Sequence, residues 1–147
     1  MKYNIQQFDA LSTSALYNIL QVRSQVFVVE QHCIYADADG IDNQCHHLSI
    51  TNTNAHIMAY ARLIPPSVVY TECSIGRVLT SQAYRQLGYG KLIVKYAMEQ
   101  CKILYPQHHI KIGAQLYLQA FYQSFGFVTC SQVYDEDGIE HIKMVTT

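Results

Sequence analysis

Between residues 91 and 104 apolar side chains return at helical spacing: Leu92, Ile93, Tyr96, Ala97, Cys101 and Leu104 fall on one side, and Lys91, Lys95, Glu99 and Lys102 on the other. Just upstream, Ser74 to Thr80 (SIGRVLT) has the length and β-branched content of a central strand. Nearer the N-terminus, Tyr3 to Phe8 reads as a short strand. Ser12 or Thr13 can then cap a helix running through Leu16, Ile19, Leu20 and Arg23 toward Val29. Two strands, His47 to Thr51 and Ala55 to Ile64, flank an Asn52-Thr53-Asn54 turn, and Pro65-Pro66 closes the second. After the long helix come a strand from Ile110 to Ala114, a short helix, and strands near Val128 to Val133 and Glu140 to Val145 joined at Asp137-Gly138. The order predicts an α/β fold in one domain, residues 1–147, with a mixed sheet and helices on both faces. Between His32 and Asn43 the turn formers Asp37, Asp39, Gly40 and Asp42 break any periodicity, which marks a loop and a candidate substrate rim.

Composition narrows the classes. Half of the 147 residues are apolar, enough for one core and too many for a disordered chain. A net charge of −1 with no cluster of Lys and Arg gives no electrostatic footprint for nucleic acid. No apolar run approaches the roughly 20 residues that span a bilayer, and the N-terminus lacks a signal peptide's apolar core, so a cytoplasmic protein without membrane contact is expected. Five cysteines without C-x-x-C pairing suit reduced thiols.

The chemistry starts at Arg85-Gln86-Leu87-Gly88-Tyr89-Gly90, between the central strand and the long helix. Two glycines one residue apart let a turn present closely spaced N–H groups, and the helix that begins there adds the positive end of its dipole. That combination seats a phosphate. A dinucleotide fold would need a third glycine and an acidic residue about 20 positions on, and a P-loop would need Ser or Thr after Gly-Lys, where Leu92 stands instead.

Strand, glycine turn and helix here resemble the GNAT superfamily of acyl-CoA-dependent N-acetyltransferases, whose signature is Arg/Gln-x-x-Gly-x-Gly/Ala. A second segment agrees: Ala120 to Phe127 (AFYQSFGF) is similar to the family's late helix, with Tyr122 four residues before a Gly-aromatic pair. Val26 to Gln31 (VFVVEQ), the run around Asp39 to Asp42, IGRV and EDGIEHI resemble the ElaA-like branch, so the likeness spans nearly the whole chain. It implies a mostly antiparallel central sheet and acetyl-CoA as the acetyl donor. It places the pantetheine arm on the backbone of Val78, Leu79 and Thr80, and the pyrophosphate on the N–H groups of Gln86, Leu87, Gly88, Tyr89, Gly90 and Lys91 with help from Arg85. Tyr122 becomes the general acid toward the coenzyme sulfur, and Gln115 stands where many relatives carry an Asn that orients the coenzyme.

Acetyl transfer to an amine also needs a base. Glu72 lies near the family's carboxylate position, although alignment on the glycine turn puts Ser74 there; Glu30, His46, His47 and a water chain are rivals. Arg77, in the central strand, requires a partner such as Asp42 or Glu30, because an unpaired buried charge would cost several kcal/mol. Cys45, His46 and His47 do not form a zinc spacing, since adjacent residues on a strand point to opposite faces, and no metal is expected.

The partners implied are a small-molecule or protein amine, with the chain a monomer or homodimer. Two other readings compete. Acyl-homoserine-lactone synthases share the fold and an Arg-x-x-Val-Phe pattern, present at Arg23 to Phe27, and a non-catalytic acyl-CoA sensor could keep the fold without the reaction.

Overall fold

A computed structural model describes all residues from Met1 to Thr147. Strands β1 (Lys2–Gln7), β2 (His46–Thr51), β3 (Ile57–Ile64) and β4 (Ser74–Thr80) form an antiparallel sheet in chain order. A second antiparallel sheet has the order β5 (Lys111–Gln115), β8 (Ile139–Thr146), β6 (Phe127–Thr129), with β7 (Tyr134–Glu136) also pairing with β8. Where the two sheets meet, Cys73 and Ile110 form a single parallel bridge, and Lys111 N–H donates to the Cys73 carbonyl at 2.9 Å. Beyond that bridge β4 and β5 part, so β4 is paired along its length with β3 alone.

Helix α1 (Thr13–Arg23) begins at Ser12, whose hydroxyl accepts from Ala15 N–H at 3.1 Å. The chain does not continue as α-helix to Val29: Ser24–Glu30 is a π-helical turn. Val26 and Phe27 in this turn pack with Ile19, Tyr60 and Leu79 on one face of the first sheet. Helix α2 (Tyr89–Leu104) buries Ile93, Val94, Ala97 and Cys101 on the other face, against Leu48, Ala61, Leu63 and Ile75. The short helix α3 (Gln119–Gln123) shares that core through Tyr122. No helix is long and apolar enough to cross a membrane.

The strand expected near Val128 to Val133 ends at Thr129 as β6, and a separate strand, β7, begins only at Tyr134. Around the break, Cys130 N–H still donates to the Lys143 carbonyl, but Lys143 N–H donates to the Ser131 hydroxyl, so a side-chain bond takes the place of a ladder bond there.

One irregularity shapes β4. Arg62 faces Gly76 and Tyr60 faces Leu79, so Arg77 and Val78 together oppose Ala61, a bulge in which Arg77 has φ 51°. Strict alternation from Ile75, which packs under α2, would send Arg77 into the same apolar layer. The extra residue turns it to the opposite face, toward the loop at residues 32–43.

Candidate active site

The gap between β4 and β5 opens into a cavity of about 890 Å³, floored by both strands and walled by the π-helical turn, the loop after it, α3 and the β7–β8 hairpin. Of the expected coenzyme residues, Val78, Leu79, Thr80, Arg85, Gly90 and Gln115 line it. The rest of the glycine turn stands at the head of α2. There Gly88 has φ 89° and Gln86 φ 64°, and the first intrahelical bond runs from Leu92 N–H to the Gly88 carbonyl at 3.2 Å. No side chain caps this end, so the first-turn amides keep their donors for another partner.

Arg85 is held by acceptors of the protein itself. Its Nε donates to the Thr80 carbonyl at 3.0 Å and its Nη2 to the Glu30 carboxylate at 3.0 Å, tying the end of β4 to the end of the π-helical turn. Gln115 bridges the gap in the same direction, its Nε2 donating to Gln31 Oε1 at 3.4 Å.

Tyr122 lines the cavity with its ring edge-on to Phe121 and Phe127, at centroid distances of 5.1 and 5.9 Å. Its hydroxyl has no hydrogen-bond partner in the protein. Burial, and secondarily the nearby Tyr117, push its pKa up to about 12, so the phenol holds its proton across the neutral range.

Glu72, expected as a candidate base, does not line the cavity. It precedes Cys73, where the bridge to Ile110 still holds the strands together, so the gap opens only past it. His46 and His47 are also elsewhere: His47 is buried between the Tyr60 hydroxyl at 2.7 Å and the Asp42 carbonyl at 2.9 Å, and burial lowers the pKa of both histidines. Glu30 is in the lining, paired with Arg85.

The loop expected as a substrate rim is an ion network. Asp42 accepts from Arg23 at 2.7 Å and Arg62 at 2.9 Å; Asp37 accepts from Arg23 at 2.9 Å and Arg77 at 2.8 Å; Asp39 accepts from Arg62 at 2.8 Å and Arg77 at 3.3 Å. Arg77 thus finds Asp37 and Asp39, not Asp42 or Glu30. The Arg23 to Phe27 pattern is used within the fold, Arg23 in this network and Phe27 in the core. Sequence reasoning missed His141 and Glu136, both in the lining; their signal was the EDGIEHI hairpin, read for its turn and its family likeness but not for its side chains.

Strands that part beside an uncapped helix start, with a buried phenol across the gap, define an acyltransferase frame. A family model described as an acetyltransferase (GNAT) domain matches residues 10–147, and the chain belongs to that family. Within it the chain falls in the ElaA-like branch. Protein ElaA of Escherichia coli is 42% identical over 142 residues, covering 91% of this chain and 88% of ElaA, and its crystal structure gives a TM-score of 0.93 at 38% identity over 100% of both chains. UPF0039 protein sll0451 of Synechocystis is 43% identical over 145 residues, covering 99% and 94%. The crystal structure of an acyl-CoA N-acyltransferase from Pseudomonas aeruginosa is similar at a TM-score of 0.94 and 36% identity, again over 100% of both chains.

Proposed function

We propose that this protein is an acetyl-CoA-dependent N-acetyltransferase in which a primary amine attacks the thioester directly. The observation that carries the reading is the cavity itself: it joins the amide-bearing start of α2 to the unpartnered hydroxyl of Tyr122 through a strand edge that lacks a neighbour. The similarity to the Pseudomonas acyl-CoA N-acyltransferase supports it.

In this reading the amides of Gln86 to Lys91 take the pyrophosphate, and the main chain of Val78, Leu79 and Thr80 takes the pantetheine arm in place of a fifth strand. Arg85 adds positive charge beside the turn; rotation of its half-exposed guanidinium would exchange Glu30 for a phosphate oxygen. Gln115 orients the arm from the β5 side. The amine's nitrogen forms a bond to the acetyl carbon, the carbon–sulfur bond breaks, and Tyr122 hydrogen-bonds the departing sulfur and supplies its proton.

Calorimetry with coenzyme A, and release of free thiol from acetyl-CoA with a panel of n-butylamine, ethanolamine, spermidine and glycinamide, test the reading. A folded protein that ignores coenzyme A sinks it; binding without thiol release favours an acyl-CoA sensor. Gly88→Val gives a sharper check. Valine at φ 89° is strained by about 1–2 kcal/mol, so the turn must rearrange and the amides lose their convergence. Coenzyme affinity should fall at least about tenfold, roughly 1.4 kcal/mol, while circular dichroism shows a folded chain. Unchanged affinity in that variant removes the phosphate turn from the site.

A further inference from the structure

An amine at neutral pH arrives as an ammonium ion and must lose a proton before it can attack. The cavity wall formed by β8 holds one group built for that exchange. His141 is 8% exposed yet lines the cavity, and its strand neighbour in β5 is Gln115, the last residue before the turn that leads to Tyr122. Its Nδ1 is 2.8 Å from the Ile139 carbonyl. A carbonyl oxygen only accepts, so Nδ1 carries the hydrogen, and in the neutral ring the lone pair is on Nε2. Nε2 is 3.3 Å from the Glu136 carboxylate, which also lines the cavity. The ring is braced by Tyr134, whose centroid is 5.8 Å away.

We propose that His141 is the base that takes the acceptor's proton, and that Glu136, beside its Nε2, positions it and draws the ammonium to this wall. The inference rests on the N-acetyltransferase reading and deepens it, assigning the site to cationic primary amines. Charge in the lining fits. Arg62, Arg77 and Arg85 are each engaged by Asp39, Asp37 or Glu30, so no arginine neutralises Glu136. The charged and titratable groups facing the imidazole are Glu136 and Tyr134 of β7; Lys143, two residues along β8, lies over the rings of Tyr70 and Tyr134.

The protons balance. One N–H proton of the ammonium moves to Nε2 of His141 and leaves from there to solvent. The freed lone pair forms the carbon–nitrogen bond. Collapse of the tetrahedral intermediate breaks the carbon–sulfur bond, Tyr122 protonates sulfur, and the nitrogen's second surplus proton restores the phenol.

The experiment measures thiol release from acetyl-CoA by the full chain with the same four amines between pH 6 and 9, for the wild type, His141→Gln and Glu136→Gln. His141→Gln should lose about 10²-fold in kcat/KM near neutrality, and its rate should depend more steeply on pH than the wild type's as free amine appears. Glu136→Gln, a change at a half-exposed position that leaves folding intact, should raise the amine KM severalfold with a smaller loss in kcat. Coenzyme A affinity should stay unchanged in both. An active wild type matched in rate and pH profile by a folded His141→Gln overturns the base, and an unchanged amine KM in Glu136→Gln overturns its part. A wild type that releases no thiol with any of the four amines sinks the transferase reading itself, a distinguishable result.

Discussion

Replacing Tyr122 by Phe is expected to cut turnover about a hundredfold, close to 2.7 kcal/mol of transition-state stabilisation, and to leave coenzyme A affinity where it was. The split follows from the geometry. The phenyl ring would keep its edge contacts with Phe121 and Phe127, and the hydroxyl bonds to nothing in the protein, so its removal orphans no partner. Folding stability should therefore change by less than about 0.5 kcal/mol. In the proposed mechanism what is lost is a donor to a sulfur that becomes charged only during reaction, which lowers kcat and leaves ground-state binding alone. Because burial pushes the phenol to about 12, it contributes no alkaline limb to the wild-type rate below that range. Steady-state kinetics and calorimetry on the same preparation decide it: a variant that turns over like the wild type makes Tyr122 a packing residue.

Features encoded within a few neighbouring residues were legible without coordinates. The central strand, Ser74–Thr80, has the expected bounds, and α2 starts within its glycine motif, since strand length, helical period and glycine spacing are all local. The final hairpin turns at Asp137 and Gly138, both at positive φ, as that dipeptide predicts. Long-range properties stayed hidden. The π-helical turn at Ser24–Glu30 keeps an apolar pattern close to that of an α-helix, and it ends where Glu30 and Gln31 reach across to Arg85 and Gln115. The bulge at Arg77 has no composition cue; its reason is that Asp37 and Asp39 lie on the other face of the sheet.

The candidate site divides the same way. The glycine turn and Tyr122, each carried by a local motif, could be read from the sequence, whereas His141 and Glu136 in the cavity lining could not. Glu72 was favoured by its nearness to the family's carboxylate position, but it stands before the bridging residue Cys73 and is not in the cavity lining. His141 lies far along the chain and meets the cavity only because β8 is the middle strand of the second sheet. Pairing order, which no local pattern encodes, put it there.

The largest expected loss of stability is at Asp42. Its carboxylate is the shared acceptor of Arg23, whose side chain is fully buried, and Arg62, which is nearly so. Arg62 Nε is already buried without an acceptor, so the network has no spare capacity. Asp42→Ala would leave two guanidinium groups under-paired in a low-dielectric layer, and breaking such a buried pair costs about 3–5 kcal/mol. In a chain of this size that lowers Tm by on the order of 10 °C. Asp39, more exposed, should cost less when replaced. The pH dependence has a definite sign. Although burial opposes it, hydrogen bonds from Arg23 and Arg62 hold the Asp42 carboxyl below its ordinary pKa, and bonds from Arg62 with the charge of Arg77 hold Asp39 at about 2. Both groups thus contribute stability that is fully present above the unfolded carboxylate range, near 4, and lost as pH falls below it, for Asp39 toward about 2. Thermal melts of the wild type should steepen through that window, and those of Asp42→Ala should start lower and fall less. A variant melting within about 2 °C of the wild type, under 1 kcal/mol, would show that the two arginines find other partners and that the loop is not held by this carboxylate.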